Sequence, residues 1–188
     1  MVPELESLEE IIRLWKNNER QNEVYKELKR SIIFSLKNQG KIFFAGNGGS
    51  AAEASHLAAE FVGKCVFDKG ALPAISLSDS STIITAVAND WNFDSIFERQ
   101  LEALAKPGDV FIGLSTSGES NNILNGLQMA RKINLITSLW TSNRATKEIC
   151  QLSDYTIIAP TNSTPRAQEL HLVLGHAIAE ELEKTTQN

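Results

Sequence analysis

Short apolar runs alternate with stretches of helical periodicity along most of the chain. Lys41–Ala45, Pro73–Leu77, Val110–Leu114, Leu135–Trp140 and Tyr155–Ala159 are short, largely apolar and rich in β-branched or aromatic residues, as buried strands are. Val110-Phe111-Ile112-Gly113-Leu114 is apolar throughout, the pattern of a strand covered on both faces. Between the runs, apolar residues recur at helical spacing: Ile83, Ile84 and Val87; Ile96, Phe97, Leu101 and Leu104; Ile123, Leu124, Leu127 and Ala130; and Leu170, Val173, Leu174, Ala177, Ile178 and Leu182. A short helix is predicted over 144–151 and the last over 166–184. Ser80 or Ser81 is placed to cap the helix carrying Ile83, and Gly63 to end the one before it. Strands alternating with helices predict an α/β domain with a parallel sheet and helices on both faces.

Residues 4–38 precede the first strand and read as helix. Leu5, Leu8, Ile11, Ile12 and Trp15 make one stripe, and Leu28, Ile32, Ile33 and Leu36 another. The polar segment Lys16–Glu23 between them is either a solvated bridge or a break into two helices. This segment can pack on another subunit or fold over its own sheet.

Composition narrows the class. The length of 188 residues suits one domain over 1–188, with 1–40 as an N-terminal helical segment available for subunit packing. The net charge of −5 argues against a general nucleic-acid binder. It still allows an anionic ligand, because a helix N-terminus attracts negative charge locally. Cys65 and Cys150 form no CxxC pair and read as reduced thiols. The acidic N-terminus lacks the apolar run of a signal peptide, and no stretch reaches the roughly 20 apolar residues of a membrane span, so a cytoplasmic protein is expected.

Two loops carry the candidate binding chemistry. Gly46-Asn47-Gly48-Gly49-Ser50 joins the first strand to an alanine-rich helix, a geometry that aims backbone N–H groups at an anion. It lacks the Gly-Lys-Ser/Thr of a P-loop; Gly46, Gly48 and Ala51 loosely fit a dinucleotide fingerprint. Ser115-Thr116-Ser117-Gly118-Glu119-Ser120 follows the third strand and also opens a helix. Each loop alone could be no more than a tight turn or a serine-rich cap. Two of them at the carboxyl ends of strands favour a phosphorylated ligand, whereas a dinucleotide needs only one.

His56 and Glu60 are four apart on the first of these helices and share a face, a spacing that suits a metal or a base with its partner and equally a solvated pair. On the last helix Gln168 and His176 are eight apart, about 80° around the axis, so they can look into one pocket; His171 points elsewhere and is expected at the surface.

In their order along the chain, Gly46-Asn47-Gly48-Gly49-Ser50, His56-Leu57-Ala58-Ala59-Glu60, Asn89-Asp90, Ser115-Thr116-Ser117-Gly118, Ser120, Gln168-Glu169 and His176 resemble the motifs of the phosphoheptose isomerases. These are sedoheptulose 7-phosphate isomerases of the SIS (sugar isomerase) fold. The resemblance implies a three-layer αβα sandwich with a five-stranded parallel sheet and an extra N-terminal helix. It also implies a cytoplasmic homotetramer with active sites between subunits, acting at the first step of heptose biosynthesis. Position by position, it implies that Asn47, Gly48, Gly49, Ser115, Thr116, Ser117 and Ser120 hold the substrate, chiefly its phosphate, and that Asn89 and Asp90 contact the sugar chain. His56, Glu60, Gln168 and His176 would form a zinc site, with Glu60 and His176 also the catalytic pair and Glu60 and Gln168 touching substrate. Where some members carry an acidic residue three before the motif glutamine, this chain has Pro165.

The residue chemistry agrees with that implication. Aldose–ketose isomerisation passes through an enediol; a carboxylate can carry the proton, a histidine can serve the oxygens, and zinc can steady the developing charge. A His/Glu/Gln/His set is mixed and oxygen-rich, which does not predict a tight structural zinc. The competing reading is a related SIS protein that binds the bacterial replication initiator. By the same resemblance it lacks the counterparts of Glu60 and His176, both present here. SIS-domain transcription regulators carry a helix-turn-helix, for which the acidic N-terminal segment is a poor candidate. The expected partner is a small sugar phosphate, with no nucleic acid and no membrane. The anomer formed and the glycan supplied, lipopolysaccharide or capsule, are left open.

Overall fold

A computed structural model describes residues 2–68 and 70–186. Five strands, β1 (Ile42–Gly46), β2 (Ala74–Ser76), β3 (Val110–Leu114), β4 (Ile136–Ser142) and β5 (Tyr155–Ala159), form one sheet in the order β2-β1-β3-β4-β5, with every pairing parallel. Around it lie α1 (Pro3–Lys16), α2 (Glu19–Lys37), α3 (Gly49–Val62), α4 (Ser81–Asp90), α5 (Ile96–Leu104), α6 (Asn121–Lys132), α7 (Lys147–Cys150) and α8 (Thr164–Thr186). The predicted three-layer αβα sandwich with a five-stranded parallel sheet is what forms.

The central strands β1 and β3 are apolar throughout because each faces two cores, whereas β4 carries the buried hydroxyls of Thr137, Ser138, Thr141 and Ser142 and the edge strand β2 leaves Ile75 exposed. Along β1, Ile42 and Phe44 join α1, α2, α3 and α8 on one side, while Phe43 and Ala45 join α4, α5 and α6 on the other. This alternation is the strand period of two with both faces buried.

The polar segment after α1 is a true break. Asn18 caps α2 by accepting from Gln21 N at 3.1 Å, and the Asn22 amide donates to the carbonyls of Trp15 and Lys16 at the end of α1. Both helices fold over their own sheet, Ile11, Trp15, Leu28 and Ile32 being buried in the same core as α3 and α8. Gln21 Oε1 accepts from Ile158 N at 2.9 Å, covering part of the open edge of β5.

One helix is much shorter than its prediction over 144–151. β4 runs on to Ser142, where Ala145 N donates to Ser142 O and Arg144 N to Ser142 Oγ. That turn leaves room for a single helical turn, capped by Thr146. Among the described residues no helix is long and apolar enough to cross a membrane.

Candidate active site

The strand order reverses at β1, which pairs with β2 on one side and β3 on the other. Gly46 stands opposite Leu114, so the loops after β1 and β3 leave the sheet side by side. Ligands of open parallel sheets bind at such a switch point. Gly48 has φ +54°, a left-handed conformation that disfavours any side chain there. The N-caps of α2, α4 and α7 accept side-chain hydrogen bonds, but the first turns of α3 and α6 have no side-chain cap. Ser120, the N-cap of α6, has its hydroxyl bonded instead by Ser115 at 2.9 Å. The crevice therefore opens onto two helix N-termini: Ser50, Ala51 and Ile123 donate their N–H groups to the carbonyls of Asn47, Gly48 and Ser120, and the N–H groups of Gly49, Asn121 and Asn122 are the ones left for an anion. Ser117 Oγ accepts from Glu119 N at 3.1 Å, and Thr116 Oγ1 reaches Thr164 Oγ1 at 3.5 Å. Asn47 pairs with Asn122 across the two loops.

Past this cradle, α3 and α8 lie against each other. Gly175 makes their approach possible: a Cβ there would stand 2.3 Å from Leu57 Cδ2. Beside that contact His56 Nε2 meets His176 Nε2 at 2.7 Å and Glu60 Oε1 at 3.5 Å. One donor atom from each of His56, Glu60 and His176 lies within 4.8 Å of the others, a group able to hold a metal ion. A tetrahedral ion with nitrogen ligands at about 2.0–2.1 Å would need the two imidazoles to part only slightly. The donor set fits a divalent ion with imidazole and carboxylate preferences. Gln168, the fourth predicted ligand, sits two turns before His176 on α8, where its amide donates to Ser50 Oγ at 3.2 Å. It packs against Gly49, where a Cβ would come within 2.5 Å of Gln168 Nε2.

His171 is not at the surface. It is fully buried, its ring tilted on Trp140 and its Nε2 3.0 Å from Thr141 O. A carbonyl can only accept, so Nε2 carries the proton and Nδ1 of the neutral ring is a lone pair. Facing it at 3.8 Å is Glu53 Oε1, on α3 and 4% exposed. Neither Glu53 oxygen, nor His171 Nδ1, nor Thr141 Oγ1 has a hydrogen-bond partner. Burial pushes the Glu53 carboxyl up to about 7, the nearby Ser50 hydroxyl offsetting a little of this without closing a hydrogen bond. Burial also pushes the His171 imidazole down to about 4, against the opposing pull of Thr141 O. A protonated Glu53 facing the lone pair of a neutral His171 satisfies both shifts. Sequence reading missed this pair; the signal was an acidic residue three before His56, on the face of α3 that carries Ala54 and Leu57.

Asn89 and Asp90 stand exposed at the end of α4, Asn89 Nδ2 donating to Asp90 Oδ1 at 3.0 Å. Cys65, just past α3, has its thiol pushed up to about 11 by burial, by a hydrogen bond to Glu60 and by nearby carboxylates, so it stays protonated beside the site.

Comparison with known proteins agrees with this geometry. The SIS domain family matches residues 7–142. The phosphoheptose isomerase of Aquifex aeolicus is 45% identical over 81% of this chain and 80% of its own length. That of Thermodesulfovibrio yellowstonii is 42% identical over 93% of this chain and 87% of its own. The solved phosphoheptose isomerase of Neisseria gonorrhoeae superposes with a TM-score of 0.84 at 33% identity, covering 96% of both chains. With its sheet order, its paired loops and these relatives, the chain belongs to the phosphoheptose isomerases of the SIS-domain family.

Proposed function

We propose that the protein interconverts sedoheptulose 7-phosphate and D-glycero-D-manno-heptose 7-phosphate through an enediol, the first step of heptose biosynthesis, in the cytoplasm. The observation that carries this reading is the meeting of His56, Glu60 and His176, drawn from α3 and α8, along the same helix that opens the anion cradle. From Ser50 to His56 is roughly 9 Å along α3 at the helical rise of 1.5 Å per residue. An open-chain seven-carbon sugar phosphate bridges a span of that order, phosphate at the loops and reacting carbons at the cluster.

In this reading Gly48, Gly49, Ser115, Thr116, Ser117 and Ser120 bind the phosphate with backbone and hydroxyl donors, and Asn47 contributes its remaining amide valence. Gln168, held by Ser50, lines the path between cradle and cluster. Glu60 takes a proton from one of the two carbons at the phosphate-distal end, C1 and C2, and returns it to the other. His176 moves a proton between the two oxygens or assists ring opening. His56, Glu60 and His176, with Gln168 turning toward them, would hold zinc, which supplies Lewis-acid stabilisation of charge developing on those oxygens. Asn89 and Asp90 reach the sugar chain in an assembled homotetramer, to which α1 and α2 offer the exposed Leu5, Leu14 and Phe34. The presence of Glu60 and His176 speaks against the replication-initiator-binding alternative.

The test is turnover of sedoheptulose 7-phosphate by the wild type and by Glu60→Gln. The amide keeps the shape and loses the base, so kcat should fall at least about 100-fold, the scale of general-base catalysis, while substrate binding persists. Turnover unchanged in Glu60→Gln would remove the base assignment; no turnover by wild type, with or without zinc, would remove the reading.

A further inference from the structure

Asn47 and Asn122 are 75 positions apart and meet across the switch point. Their amides pair reciprocally: Asn47 Nδ2 donates to Asn122 Oδ1, and Asn122 Nδ2 donates to Asn47 Oδ1, each at 2.9 Å. Asn47 follows the last residue of β1 in the loop to α3, and Asn122 lies in the first turn of α6. The pair thus fastens one uncapped helix N-terminus to the other. Two parallel bonds between planar amides fix orientation as well as distance, whereas a single bond would leave a hinge.

Among the hydrogen bonds that the loops' other side chains make, Ser115 to Ser120 and Glu119 N to Ser117 stay within the second loop. Asn121 and Asn125 bind Asp94 and so tie α6 to α5's approach rather than to the first loop. Asn122 is 2% exposed and has no room for a ligand of its own. Asn47 is only partly buried. A primary amide has two N–H groups and two lone pairs, so the pairing leaves Asn47 one of each for the crevice.

We propose that Asn122 is a positioning residue for the phosphate cradle. Through Asn47 it locks the β1–α3 loop to the start of α6, so that both sets of backbone N–H groups converge on one phosphate before the ligand arrives. The proposal rests on the sugar-phosphate reading above. Its consequence is specific: pre-organising a cradle strengthens binding of the phosphate end and does nothing for the reacting carbons, which lie along α3 at His56 and Glu60.

The experiment compares wild type with Asn47→Ala, Asn122→Ala, the double variant and Asn122→Asp. It measures KM and kcat for sedoheptulose 7-phosphate and the inhibition constant of inorganic phosphate, with thermal unfolding to verify that each variant is folded. Asn122→Ala should raise KM and the phosphate constant about tenfold, the effect of roughly one net hydrogen bond, with kcat within about twofold. The double variant should be no worse than Asn47→Ala, because the two side chains act as one unit. Asn122→Asp keeps the volume and one accepting oxygen but sets a negative charge beside the phosphate, so it should bind more weakly than Asn122→Ala, most of all at low salt. Unchanged constants in Asn122→Ala, multiplicative losses in the double variant, or a fall in kcat at constant KM would each overturn the strut. If the wild type neither turns over the sugar nor binds phosphate, the reading beneath it falls and the strut with it.

Discussion

Glu53 and His171 set opposite ionisation demands on one buried space. In the folded protein Glu53 keeps its proton from the ordinary 4.5 up to about 7. Over that window the native state binds more protons than the unfolded chain, so rising pH removes stability, beginning near 4.5 and ending past 7. His171 does the reverse: the native ring stays neutral down to about 4, whereas the unfolded one charges below 6.5. There the unfolded chain binds more protons, and stability grows as pH rises from about 4 to 6.5. Across most of the shared range each state holds one proton on the two groups together, so wild type should show little pH dependence from this source. Single variants should uncover the hidden slopes. Glu53→Gln should gain stability as pH rises from 4 to 6.5, and His171→Gln should lose it as pH rises from 4.5 to 7. Urea midpoints taken at intervals of half a pH unit would read both, and variants running parallel to wild type would refute the pairing.

At the scale of elements, the site depends on how closely α8 approaches α3, and Gly175 sets that distance. A methyl at Gly175 would stand 2.3 Å from Leu57 Cδ2, and Leu57 is fully buried with nowhere to turn. Overpacking of this kind costs about 1–3 kcal/mol, against about 1 kcal/mol returned by alanine's helix propensity. Gly175→Ala should therefore lower Tm by no more than several degrees, at roughly 2–4 °C per kcal/mol for a chain of this size. Turnover should drop more than stability, because the change pries His176 from His56. Gly175→Ala combined with Leu57→Val should recover turnover; no recovery would mean that the helix spacing is not what matters. Strands β1 and β3 and the two loops that follow them were legible in sequence because burial on both faces writes an uninterrupted apolar run, and glycine and serine mark the turns. The last helix was less so. Its stripe named Val173, which is 50% exposed, and placed His171 outside, although His171 lies on the same face as Ala167, Leu174 and Ile178. Periodicity shows that a face exists, but a polar residue on it is visible only when the neighbours that enclose it, here Trp140 and Glu53, come from other elements. The reciprocal amides of Asn47 and Asn122 were invisible for the same reason.

For the molecule as a whole, the question is whether an ion at His56, Glu60 and His176 builds the fold or only uses it. Two apolar cores, one on each face of the sheet, are complete without it, and Leu57, Leu174 and Ile178 already join α3 to α8 beside the cluster. Small domains that need zinc to fold lack such cores. Chelator-treated protein should accordingly keep its native circular dichroism and unfold cooperatively. Zinc held at the proposed cluster should then add stability by linkage alone, because the unfolded chain does not present that arrangement. At a free concentration of 100 times Kd the gain is about 2.7 kcal/mol, which for a chain of this length raises Tm by roughly 5–11 °C. His56→Ala removes one donor from the exposed side of the cluster and no core contact, so its chelated form should melt close to wild type while its response to zinc disappears. Differential scanning calorimetry of both proteins over a zinc titration separates the cases. An equal zinc shift in wild type and His56→Ala would place the ion elsewhere, and unfolding of wild type on chelation would make the metal part of the architecture rather than of the chemistry.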